Sequence, residues 1–146
     1  MPNKLELAVR NATRTLRMQQ RATLWKVPND VRMTSEGTLV HGDQMPADFV
    51  GFSAIGRVIL IECKESIRTA LPLGKTGLKP HQQLALQECG RAGGIALVLW
   101  RKEDVTAALD HDMVRVLSRD RRSIPWKDIP ASHKAHDLMM LFALYV

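Results

Sequence analysis

The chain has 146 residues, of which 45% are apolar and 25% charged, and carries a net charge of +6. A single domain of this length buries roughly 70% of its unfolded surface, and the composition excludes a disordered chain. Two cysteines are too few for a disulfide framework, and no run approaches the ~20 apolar residues of a membrane span. The start, Met1 to Glu6, lacks the apolar core of a secretory signal, so one cytoplasmic domain over residues 1–146 is expected. The basic surplus favours polyanionic partners, because neutralising phosphates releases condensed counterions.

Along the chain, residues 3–19 predict a helix, with Leu5, Val9, Ala12 and Leu16 at helical spacing. Arg10, Arg14 and Arg17 form a second stripe, read either as solvated surface or as a DNA contact. Residues 21–27 alternate loosely and suggest a strand ending before Pro28. The stretch to Gln44 is polar, with a short strand around Thr38–His41. Ala47–Ser53 and Arg57–Lys64 are clearer strands joined by a tight turn at Gly56. Val58 to Ile61 is continuously apolar, as expected for a strand covered on both faces.

Pro72–Lys79 reads as a Gly- and Lys-rich loop, after which Pro80 suits the first turn of a helix running to about Arg91. Gly93-Gly94 ends that helix, and Ile95–Trp100 is a further buried strand. Val105–Leu109 suggests a short strand, Asp110–Arg119 a short helix, and Leu138 to Val146 an apolar tail packed on the core. The order α-β-β-β-α-β predicts an α/β (α+β) domain, a mixed central sheet flanked by helices.

The chemistry concentrates around the Gly56 turn. A loop of two or three residues places Asp48 opposite Glu62 or Cys63. Glu62 and Lys64 are two apart and leave one face of their strand, while Cys63 points to the other. Such groups at the end of an apolar strand are costly unless satisfied, and a hard cation such as Mg²⁺ satisfies paired carboxylates. An unrelated Asp beside a surface Glu–Lys pair is the plainer alternative. Gln82 heads a stripe with Leu86 and Cys89, where an amide can bond a water or a phosphate near the positive helix terminus. Gln83 takes that role if the phase is off by one.

The runs Ala47-Asp48-Phe49-Val50-Gly51 and Ile61-Glu62-Cys63-Lys64-Glu65-Ser66 resemble the core of the PD-(D/E)XK nucleases. Leu71-Pro72-Leu73, Leu78-Lys79-Pro80-His81-Gln82 and Gly93 to Val98 resemble, more specifically, bacterial Holliday junction resolvases of the recombination protein U family. Trp25-Lys26-Val27-Pro28 and Arg122-Ser123-Ile124-Pro125 also resemble family segments. The resemblance implies a restriction-endonuclease-like core, with Asp48, Glu62 and the carbonyl of Cys63 as ligands of Mg²⁺ or Mn²⁺. It implies Lys64 as catalytic lysine, Gln82 as helper, and Glu6 as an acidic residue holding metal through water; an ion pair of Glu6 with Arg10 is the alternative.

Two departures stand out. Met45-Pro46-Ala47 replaces the family's hydroxyl residues before the Asp, and the protruding segment, here about Pro28–Gln44, is compact. That segment holds Arg32 and His41 as phosphate-contact candidates.

The expected function is a metal-dependent, structure-selective DNA endonuclease resolving four-way junctions as a homodimer, since two symmetric nicks need two sites. Arg10, Arg14, Lys75, Lys79 and the Arg119, Arg121, Arg122 cluster are the DNA-contact candidates. A phage or mobile-element nuclease cutting flaps, nicks or duplex is the alternative enzyme. A non-catalytic nucleic-acid-binding module is the alternative of another class, disfavoured because both acids and the lysine are present. Zinc chemistry is not expected, as His133 and His136 have no third ligand. Gly74-Lys75-Thr76 lacks the upstream glycine of a phosphate-binding loop.

Overall fold

The computed structural model describes residues 3–28, 31–41 and 47–146, and only the backbone of 31–33 and 39–41. Arg32 and His41, as side chains, therefore lie outside the described residues, as do Met45 and Pro46. The helices are α1 (Lys4–Met18), α2 (Pro80–Arg91), α3 (His111–Leu117) and α4 (Leu138–Phe142). The strands are β1 (Ala22–Lys26), β2 (Val31–Met33), β3 (Leu39–His41), β4 (Phe49–Ser53), β5 (Val58–Glu65), β6 (Ala70–Pro72), β7 (Ile95–Lys102), β8 (Val105–Asp110), β9 (Ser123–Pro125) and β10 (Lys134–Ala135).

Six strands form one mixed sheet in the order β1-β4-β5-β7-β8-β10. Only β5 and β7 run parallel, joined through α2; the other neighbours are antiparallel. Period-two alternation divides β5 between two cores. Ile59, Ile61 and Cys63 face α1 and α4 together with Leu5, Val9, Leu16, Phe49 and Phe142. Leu60 faces the α2–α3 layer with Leu86, Val98, Trp100 and Val114. Each fully buried aliphatic of this kind contributes about 1.5–3 kcal/mol of transfer free energy.

Local chemistry fixes the element ends. Asn3 caps α1, its side-chain oxygen accepting from Glu6 N at 2.7 Å, an interaction worth about 1 kcal/mol. The expected turn between β4 and β5 is Ala54-Ile55-Gly56, with Gly56 at φ +82° and its N–H donating to Ser53 O at 2.9 Å. That is a type I turn closed by a left-handed glycine, which sets a three-residue hairpin. Gly51 lies where β1 and β4 approach closely, and a Cβ there would collide with the Thr23 carbonyl oxygen.

Two expectations are revised. Pro72–Lys79 is not wholly loop: β6 pairs with β9 as a separate two-stranded ribbon, and Leu73 bridges Leu78. The Pro28–Gln44 segment carries the β2–β3 hairpin, in which Val31 pairs with His41.

Candidate active site

The three-residue hairpin pairs Phe49 with Ile61, the last pair of the β4–β5 ladder, and Asp48 stands one residue beyond it. The Asp48 backbone is pinned from both sides: its N–H donates to Ile61 O at 3.0 Å and its carbonyl accepts from Val27 N at 2.8 Å. Beyond Phe49, β4 no longer pairs with β5, and the Asp48 carboxylate takes over. Its Oδ2 accepts from Cys63 N at 2.8 Å. The side chain is therefore held by the strand it faces.

Glu62 is 3% exposed, one of the few buried polar residues. Lys64 Nζ lies 3.0 Å from Glu62 Oε1. Gln82, in the first turn of α2, joins both: its Nε2 donates to Glu62 Oε1 at 2.7 Å and its Oε1 accepts from Lys64 Nζ at 3.1 Å. The same Oε1 accepts from Lys79 N at 3.0 Å, satisfying a donor the helix start would otherwise leave free. Two donors on one amide oxygen and a carboxylate at the nitrogen fix the amide's orientation. Gln83 instead donates to Leu78 O at 2.8 Å and braces the loop.

Burial, with the neighbouring Asp48 charge second, raises the Glu62 carboxyl from its ordinary 4.5 to about 7, against the pull of Lys64. Burial also drives the Cys63 thiol well above its ordinary range. The sulfur packs in the α1 core, so Cys63 can serve a cation through its backbone carbonyl alone.

Glu6 does not turn to Arg10. Its Oε2 lies 3.7 Å from Lys26 Nζ, which is 3.5 Å from Asp48 Oδ1. Lys26 thus bridges the first-helix acid and the strand aspartate, a role that residue-by-residue reading missed. Its sequence signals are its place in the family-like run Trp25-Lys26-Val27-Pro28 and at the end of β1, and these become informative once Lys26 is known to pair with Phe49.

Among the described residues, no group of three or more His, Cys, Asp and Glu side chains is arranged to hold a metal. The donors that are present still fit a hard divalent cation. Asp48 and Glu62 are two carboxylates set together, and burial first, then the Asp48 charge, raises the Glu62 pKa, a cost that a bound cation would relieve.

The DNA-contact candidates fall into separate groups. Arg10 and Arg14 are exposed on α1, and Lys75 and Lys79 are exposed before α2. Arg121 and Arg122 border a groove with Pro80 and Gln83; Arg121 is paired with Asp128 at 2.6 Å, and Arg119 is exposed nearby in sequence. No helix among the described residues is long and apolar enough to cross a membrane.

No protein-family model matches the chain, and no curated protein matches it in sequence. The solved structure of Hjc, a Holliday junction resolvase from the archaeal hyperthermophile Archaeoglobus fulgidus, is similar with a TM-score of 0.53 at 16% identity. The match covers 84% of this chain and 88% of that one. At this identity the likeness is one of fold. The sheet and helices that carry Asp48, Glu62 and Lys64 form a restriction-endonuclease-like fold of the kind seen in Hjc.

Proposed function

We propose that this chain is a divalent-metal-dependent DNA endonuclease that resolves four-way junctions. The observation carrying the proposal is the convergence of Asp48, Glu62, Lys64 and Gln82 at one end of β5, where a buried carboxylate bonds both a lysine and an amide. The likeness to a resolvase fold and the net charge of +6 support it. The finer relation, to resolvases of the recombination protein U type, rests on the segment resemblances from Ala47 to Val98.

Asp48, Glu62 and the Cys63 carbonyl would hold Mg²⁺ or Mn²⁺, which when bound supplies charge neutralisation at the scissile phosphate and lowers the pKa of water. The remaining work falls to the chain. Lys64 presents an ammonium to the negative charge that builds on the phosphoryl oxygens as water adds to phosphorus and the P–O3′ bond breaks; water supplies the new P–O bond and a proton for O3′, leaving a 5′-phosphate and a 3′-hydroxyl. Gln82 is a positioning residue, holding Lys64 and Glu62 at fixed separation. Glu6 and Lys26 orient Asp48. Substrate contacts from Arg10, Arg14, Lys75, Lys79 and Arg122 address phosphates, which gives weak sequence preference and steep salt dependence. Two such sites in a homodimer would nick two strands symmetrically, in the cytoplasm, on bacterial or phage DNA.

Cleavage rates on a four-way junction, a flap and a matched linear duplex test the reading. Paired nicks on the junction at a rate well above the other two support a resolvase. Equal cutting of all three would replace it with a general nuclease, and binding without cutting with a non-catalytic module.

A further inference from the structure

A groove of about 320 Å³ runs between α1 and β1, at the free edge of the main sheet. Arg10, Arg14 and Arg17 line it from the helix, Trp25 and Lys26 from the strand. The three arginines form no ion pair among the described residues, and none of the groove's lining residues is acidic. Trp25 is 50% exposed although Ala22 and Leu24 of the same strand are buried. Its indole leans on Phe52, itself 46% exposed, with centroids 5.7 Å apart, and the Arg17 guanidinium lies 5.9 Å from the ring centroid. Lys26 connects the groove to the carboxylates through its contacts with Asp48 and Glu6.

Three arginines on one helix face that form no ion pair among the described residues call for a polyanion. An exposed indole beside them calls for a flat ring to stack on, as in grooves that track single strands. A duplex offers phosphates but keeps its base faces stacked inside. An unpaired strand offers both. We propose that the α1–β1 groove binds a single-stranded DNA segment, phosphates on Arg10, Arg14 and Arg17 and one base on Trp25, next to the carboxylate site. Resting on the nuclease reading, this makes an unstacked nucleotide beside the scissile phosphate the feature recognised in a branched substrate.

Anisotropy of labelled oligo(dT) and of a hairpin duplex, with the full chain in EDTA, separates binding from cleavage. The oligo(dT) is expected to bind more tightly and to quench tryptophan emission, a signal that Trp25→Leu abolishes. Trp25→Leu and Trp25→Ala should weaken oligo(dT) binding roughly 5- to 150-fold, the worth of one base–aromatic stack, and leave the duplex unchanged. Trp25→Phe should retain most of the affinity. Arg14→Gln should weaken both ligands and flatten the salt dependence. Unchanged oligo(dT) binding in Trp25→Leu, or a dimer-to-monomer shift of that variant in sedimentation, would overturn the proposal, the latter assigning the face to a second copy. Junction cleavage is scored separately. If wild type cuts nothing yet binds oligo(dT) through Trp25, the groove stands and the nuclease reading falls. If cleavage proceeds and Trp25 has no effect on binding, the reverse holds.

Discussion

Gln82 donates its side-chain amide to Glu62 at 2.7 Å, from the first turn of α2 to the interior of β5. The carboxylate sits where water cannot solvate it, so this bond and that from Lys64 are what make its buried charge tolerable. The same amide ties the helix start to the strand that carries the site.

Gln82→Ala leaves Glu62 and the Lys79 N–H each short of a partner, and is expected to cost about 1–3 kcal/mol of stability. Cleavage should fall about 10- to 100-fold, since the lysine loses its brace. Gln82→Glu separates positioning from folding. A second carboxylate beside Glu62 raises its pKa further, so the alkaline shift of the pH–rate profile is the readout. A profile that does not move would show that Gln82 acts on stability alone.

The elevated Glu62 pKa makes stability pH-dependent in a defined direction. In the unfolded chain the carboxyl titrates near 4.5, in the fold near 7. Below the first value both states are protonated and the group costs nothing. Between the two, the unfolded state ionises while the fold holds its proton, so stability falls as pH rises and levels off above 7. The full cost is on the order of 3 kcal/mol. In EDTA, Glu62→Gln should gain in Tm relative to wild type between pH 5 and 8, with no difference near pH 4. Mn²⁺ should raise the wild-type Tm more at pH 8 than at pH 5.5.

Lys26 supplies the positive charge between Glu6 and Asp48. Replacing it with methionine removes their internal counter-ion, and an added cation then relieves more repulsion. Titration of Mn²⁺ against Tm should show a larger rise, at lower concentration, in Lys26→Met than in wild type. Equal curves would mean that Lys26 has no bearing on the carboxylates.

Tyr145 carries the one buried side-chain polar atom without a hydrogen-bond partner among the described residues. Burial, with Asp110 second, pushes its hydroxyl up to about 12. Tyr145→Phe deletes an oxygen that makes no bond, and should raise stability by up to about 1 kcal/mol. A loss of more than that in urea unfolding would reveal a partner for the hydroxyl.

Much of this architecture is legible residue by residue. The Leu5–Val9–Ala12–Leu16 stripe, the apolar run of β5 and the Pro80 helix start are strong local signals, and tertiary contacts agree with them. The position of Asp48 against β5 stays open at sequence level, because it turns on one residue of loop length; Gly56 in the left-handed region sets the three-residue loop, the ladder ends at Phe49–Ile61, and Asp48 bonds Ile61 O and Cys63 N. The β6–β9 ribbon is not legible: three residues ending in proline are too few to establish a period, and the partners lie over 50 residues apart. Lys26 was missed for the same kind of reason, since its neighbours arise from non-local pairing of β1 with β4. Local periodicity reports burial, whereas such a site is assembled by register.

If Asp48, Glu62 and Lys64 cut DNA, single-turnover cleavage of a labelled four-way junction by wild type and Lys64→Ala will show it. The expected result is nicks that require Mg²⁺ or Mn²⁺ and fall by about 10³-fold or more in the variant, about 4 kcal/mol of transition-state stabilisation, while junction binding in EDTA stays near wild type. Cleavage undiminished in Lys64→Ala would remove Lys64 from the chemistry and overturn the proposed active site.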